Sequence, residues 1–76
     1  MPLTLIQRDN CHLCDLAWEV LAGAGVADFD PLWIDQDIGL EARYGTRVPV
    51  LRNEDNGEEI DWPFDAEAVR ELAGSL

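Results

Sequence analysis

The chain has two cysteines, Cys11 and Cys14, set three residues apart in Asn10-Cys11-His12-Leu13-Cys14. They fall where an apolar run, Leu3-Thr4-Leu5-Ile6, gives way to a helical pattern beginning at Leu13. Residues i and i+3 share one face of a helical turn, about 5–6 Å apart. A disulfide spans Cα separations of about 4.4–6.8 Å, so such a pair can close and reopen with little backbone movement. The start of a helix offers unpaired N–H groups and a partial positive charge. Cys11 sits at that end, so its thiol is expected to ionise below the free-thiol pKa of about 8.5, with Cys14 staying above it. The thiolate is the form that attacks a disulfide, so the chemistry implied is dithiol–disulfide exchange.

Other uses of the pair stay open. A structural zinc site usually takes four thiolate or imidazole ligands. Cys11, Cys14 and His12 offer three, and the adjacent Cys11 and His12 are awkward to direct at one ion. A second chain or a carboxylate would have to complete the set, so no metal site is expected. The pair could also be inert thiols on a binding module. His12, when protonated, adds positive charge beside Cys11, while Asp9 and Asp15 oppose it. An exposed histidine without a role fits equally well. Arg8 and Arg47 flank the motif region, and either could meet a substrate carboxylate. Salt bridges to the many acids are their plainer use. Trp33, Trp62 and Phe64 read as core or hairpin cover rather than a docking surface.

The elements that position the pair follow from patterning. Residues 3 to 8 read as a strand apolar on both faces, hence central and covered on both sides. Arg8-Asp9-Asn10 is a turn, with Asn10 as the expected N-cap. Leu13, Leu16, Ala17, Val20, Leu21 and Ala24 form the stripe of an amphipathic helix, stopped by Gly23 and Gly25. Trp18 falls near its wet face. Phe29 to Asp35 is a second strand, placed at an edge by Pro31. A short helix over Asp37 to Tyr44 ends at Gly45. Val48 to Arg52 and Glu58 to Asp61 are two strands joined by Asn53-Glu54-Asp55-Asn56-Gly57, a hairpin. Asp65 caps a last helix whose stripe is Ala66, Val69, Leu72, Ala73 and Leu76. The order βαβαββα predicts one α/β domain over residues 1–76, a four-stranded mixed sheet with helices on both faces. Its parallel crossover is right-handed, and the first strand joins it to the antiparallel hairpin.

Composition narrows the partners. The 76 residues carry 16 acidic side chains against five arginines, with no lysine, for a net charge of −11. This argues against nucleic acid and anionic membranes, which basic patches bind. Solubility is the plain reading of the charge, and steering toward a basic partner is the sharper one. No apolar stretch is long enough to span a membrane. Met1-Pro2-Leu3 leads into the first strand with no basic and apolar leader, so a cytosolic location is expected. A disulfide between close cysteines there is more often catalytic than structural.

The order of elements, the Cys-x-x-Cys after the first strand and the Val-Pro before the third resemble the glutaredoxin family of the thioredoxin fold. The resemblance is closest to short bacterial glutaredoxin-like proteins. It covers essentially the whole chain and rests on Cys11-His12-Leu13-Cys14, Tyr44-Gly45-Thr46-Arg47-Val48-Pro49-Val50-Leu51 and Trp62-Pro63-Phe64-Asp65. It implies that Cys11 is the nucleophile and Cys14 the resolving thiol. It also implies a cis Pro49 beside the pair, and a Val48 backbone that hydrogen-bonds a substrate. Asp65 falls where the family often contacts the glutathione amino group. Two departures bear on glutathione rather than on dithiol chemistry. His12 replaces the usual proline, and Asp61-Trp62 stand where a Gly-Gly pair is usual. The activity implied is thiol–disulfide exchange with protein or glutathione disulfides. Glutathione would be a weakly bound co-substrate rather than a bound cofactor, and the partner a basic protein disulfide met by a monomer. The alternative is a redox-weak module of the same fold that docks a basic protein.

Overall fold

A computed structural model describes residues 3–74 of the chain. Its elements are β1 (Leu3–Gln7), α1 (His12–Gly23), β2 (Asp30–Trp33), α2 (Ile38–Tyr44), β3 (Val50–Asn53), β4 (Glu59–Asp61) and α3 (Ala66–Leu72). The expected order is present, and so is the mixed sheet, in the sequence β2-β1-β3-β4. β1 runs parallel to β2 and antiparallel to β3, and β3 and β4 form the hairpin. Leu76 of the expected last stripe lies outside the described residues.

All five residues of β1 are buried, as a central strand covered on both faces requires. Successive side chains point to opposite faces, and the core divides accordingly. Leu3 and Leu5 pack with Leu51, with Ala17 and Leu21 of α1, and with Val69 and Leu72 of α3. Ile6 packs on the other face with Val50, Ile34 and Tyr44. Helices therefore cover both faces. Asn53, buried at the end of β3, donates through Nδ2 to the Leu72 carbonyl at 2.7 Å and so fixes the end of α3 to the hairpin.

Several boundaries differ from the sequence reading. β2 covers only Asp30–Trp33, the stretch that meets Thr4–Gln7 of β1, and Phe29 turns its ring edge-on to Trp18 instead. β3 begins at Val50 rather than Val48. Pro49 has no N–H for the ladder, and the Val48 N–H is committed to the Tyr44 carbonyl at 3.0 Å. The buried residues of α1 are Cys14, Ala17 and Leu21, while Leu13, expected on the apolar stripe, is exposed.

Two charged assemblies lie on the α2 side of the molecule. Arg8 grips Glu41 with two hydrogen bonds of 2.7 Å and donates to the Gly45 carbonyl at 3.0 Å. A Cβ on Gly45 would stand 2.5 Å from the Glu41 carbonyl oxygen, so close approach, not backbone conformation, selects glycine here. The second assembly surrounds the fully buried Tyr44, whose hydroxyl donates to Glu59 and accepts from Arg52 at 3.0 Å. Arg47 donates to Glu59 and Asp61, and Arg52 and Thr4 both donate to Glu54.

These bonds hold three carboxyls below their ordinary values. The Thr4 hydroxyl and Arg52 lower Glu54, and Arg47 lowers Asp61. Burial pushes Glu59 up, but the hydrogen bonds from Tyr44 and Arg47 outweigh it and the net direction is down. A carboxyl whose pKa is depressed in the folded state stabilises the fold above its unfolded value and loses that contribution as pH falls through the folded one. The ordinary values are 4.5 for the two glutamates and 3.8 for Asp61. The melting temperature should therefore drop as pH is lowered from about 5 toward 3, and Glu59→Gln should flatten that limb. A level melting temperature over this range would show that the network adds no net stability.

Candidate functional site

β1 delivers the chain to the dithiol. Asn10 follows the strand with φ 53°, in the left-handed region that asparagine tolerates, and the helix begins at His12. Asn10 was the expected cap, but the N-cap is Cys11 itself. Its backbone is extended, and its Sγ accepts the Cys14 N–H at 3.1 Å. The chain reversal uses Asn10 for its backbone freedom, which leaves the capping position one residue later. Cys11 and Cys14 are joined as a disulfide with Cα atoms 5.2 Å apart. Cys11 is partly exposed and Cys14 is 2% exposed, so the two residues of one bridge differ in access.

Cys11 opens into a groove of about 680 Å³. Arg8 and His12 line it with Cys11, so three of the residues singled out from sequence come together there. Asp9, Asp15, Gln7, Trp18 and Trp33 also line it. Arg8 reaches the groove already bound to Glu41. Arg47 is not among the residues that line this groove and lies between Glu59 and Asp61. Asp65 caps α3 by accepting the Ala68 N–H at 2.8 Å, and it lines a separate acidic groove with Glu58, Glu67 and Glu71. The Val48-Pro49 bond is cis, as is Trp62-Pro63. The Pro49 carbonyl accepts the Trp62 N–H at 3.1 Å, which ties the proline segment to the residue that stands where glycines were expected.

Sequence reasoning assigned no function to Gln7, Trp18 or Trp33. Trp33, expected as core or hairpin cover, is 49% exposed at the end of the edge strand. Gln7 occupies the inward position that follows Leu3 and Leu5 in the period of two. A polar residue on a core-facing position, four residues before Cys11, was the available signal. Among the described residues, no group of three or more His, Cys, Asp and Glu side chains is placed to hold a metal ion, and no helix is long and apolar enough to cross a membrane.

The model of the glutaredoxin-like domain, DUF836, matches residues 2–72. The chain belongs to the glutaredoxin-like family. Its fold matches the crystal structure of protein XcR50 from X. campestris, with 53% identity, 97% of each chain covered and a TM-score of 0.88. The solution structure of XcR50 gives a TM-score of 0.87 at the same identity, covering 100% of this chain and 96% of that one. Protein Ne2328 from Nitrosomonas europaea is similar at 26% identity and a TM-score of 0.66, over 97% of this chain and 87% of that one. No curated protein matches. A glutaredoxin-like domain with this cysteine spacing supports a thiol redox role.

The unequal access of the two cysteines can be read directly. After reduction, iodoacetamide should modify Cys11 well before Cys14, followed by peptide mass spectrometry. Modification of both at one rate would show that the helix start does not distinguish them.

Proposed function

We propose that the protein is a dithiol–disulfide oxidoreductase in which Cys11 is the nucleophile and Cys14 the resolving thiol. The observation that carries this is the arrangement at the start of α1: a partly exposed Cys11 whose sulfur accepts the Cys14 N–H, joined to a buried Cys14. A thiolate at Cys11 is a better acceptor for that N–H than a neutral sulfur, because charge strengthens a hydrogen bond. The helix start thus favours the form that attacks.

The reaction proceeds in two displacements. Cys11 thiolate attacks one sulfur of a substrate disulfide, a mixed disulfide forms, and the other substrate sulfur leaves as a thiolate that takes a proton from water. Cys14, deprotonated, then attacks the Cys11 sulfur. The Cys11–Cys14 bridge forms, and the second substrate sulfur leaves as a thiol. Two electrons pass from the protein to the substrate. A cellular thiol, glutathione or another, must reduce the bridge again, which suits a reducing compartment such as the cytosol.

Pro49 and Val48 are proposed to meet the substrate chain. The Val48 N–H already serves Tyr44, so its carbonyl would do so. His12 is proposed to face the substrate across the Cys11 groove. Arg8 and Arg47 could each meet a substrate carboxylate only by sharing it with the acids that now hold them. Asp65, which serves as a helix cap, is proposed as a contact for a substrate amine, though in the separate groove.

The charge of −11 favours a basic protein disulfide over glutathione, which is itself anionic. It equally suits the second reading, a redox-weak module that docks a basic protein, and the two part at turnover. Wild type should reduce a protein disulfide, Cys11→Ser should not, and Cys14→Ser should stall as the mixed disulfide. Failure of wild type to turn over would leave the binding module. The rate with a disulfide framed by Lys or Arg should fall as salt rises, because screening shortens the field to about 8 Å at physiological ionic strength. The rate with oxidised glutathione should rise slightly. If both rates ignore salt and glutathione reacts as fast, the acidic surface serves solubility alone.

A further inference from the structure

One residue in the wall of the groove beside Cys11 has a buried hydrogen-bond donor that the protein leaves unmet. Gln7 is 1% exposed, and its Oε1 accepts the Trp18 indole N–H at 2.9 Å. An indole nitrogen only donates, so this bond fixes which end of the carboxamide faces Trp18. Nε2 is left without a partner, the one such buried side-chain nitrogen or oxygen among the described residues. Buried donors are almost always satisfied, and one that is not, in a residue lining an open groove, is a position for a ligand oxygen.

The surroundings say which oxygen. Gln7 is paired with Trp33 across the parallel strands, and residues so paired face the same side of the sheet. Trp33 is 49% exposed and Trp18 43% exposed, so two large rings line the groove with area uncovered. Asp9 and Asp15 line it as well, and the guanidinium of Arg8 is neutralised by Glu41. A carboxylate could accept from Gln7 but would meet those two acids. A neutral carbonyl would not. Exposed tryptophan faces beside carboxylates suit a cation.

We propose that this groove binds an extended basic peptide segment of the substrate. A backbone carbonyl accepts from Gln7 Nε2, and a Lys or Arg side chain next to the substrate cysteine lies over Trp33 near Asp9 and Asp15. The assignment rests on the exchange reaction proposed above and names the chemistry of its substrate. Gln7 reads backbone and so adds affinity without side-chain preference, whereas Trp33 and the acids supply the preference for a cation.

The test uses the oxidised protein and three acetylated, amidated peptides that carry serine in place of the substrate cysteine. They differ only in the adjacent residue, which is Lys, norleucine or Glu. Binding is followed by NMR through the Gln7 carboxamide and the Trp18 and Trp33 indole N–H signals. Affinity should fall in the order Lys, norleucine, Glu, and the Gln7 carboxamide signals should shift on saturation. Gln7→Met, checked for folding by its melting temperature, should weaken all three by a common factor of about ten. Trp33→Ala should cost the Lys peptide about two- to fivefold more than the others. Unmoved Gln7 signals in the wild type, or a Glu peptide bound as tightly as the Lys peptide, would overturn the proposal, whether or not Gln7→Met folds. Because the peptides carry no sulfur, binding without turnover would remove the exchange reading alone. Turnover without peptide binding would remove the groove assignment alone.

Discussion

β1 is buried on both faces along its whole length, and the rest of the molecule answers to that constraint. A strand covered on both sides needs a layer of helices on each, which α1 and α3 supply with Leu3 and Leu5, and α2 with Ile6. It also needs neighbours on both edges, supplied by β2 in parallel and β3 in antiparallel. A strand so held cannot shift by one residue without moving every side chain to the wrong layer. Its end is therefore a fixed point, and the cysteine motif begins four residues beyond Gln7.

Charge is organised around the same strand. Arg8, Arg43, Arg47 and Arg52 each face a carboxylate. Three of them converge on Tyr44, two with a guanidinium about 5 Å from its ring and one through its hydroxyl. Arg43, Arg47 and Arg52 are thus held at α2 and the hairpin, while Arg8, paired with Glu41, lines the groove beside Cys11 together with Asp9 and Asp15. Exposed ion pairs contribute little to stability singly. Their consequence here is a distribution of field: further carboxylates line the two grooves, Asp9 and Asp15 beside Cys11 and Glu58, Asp65, Glu67 and Glu71 beside α3.

The fold was legible because its signals are periodic. The doubly apolar β1, Pro31 at an edge, the Asn-rich turn of the hairpin and Asp65 as a cap each carry a local physical meaning, and together they give the sheet order. The boundaries were less legible because pairing partners decide them, as at Phe29 and Val48. The cysteine pair was legible from spacing. Its surroundings were not, for two reasons. Asparagine is a preferred cap and cysteine is not, so nothing in residue preferences moves the cap from Asn10 to Cys11. Gln7 ends a strand, where a polar residue is unremarked until Trp18, eleven residues on, closes over it.

The cap at Cys11 has a further meaning. Helices elsewhere in the chain begin on carboxylates, Asp37 and Asp65, which form and break no covalent bond in the proposed exchange. In the proposed exchange, α1 begins on the atom that would change its bonding at every step, as thiolate, as mixed disulfide and as bridge. Each form would accept the Cys14 N–H with a different strength, because charge strengthens a hydrogen bond, so the first turn of α1 would be firmer in some stages of that cycle than in others. On that proposal, folding and electron transfer would be linked at one sulfur: whatever tightens that turn would favour the chemical form that caps it best, and the helix would serve as part of the redox couple rather than as its scaffold.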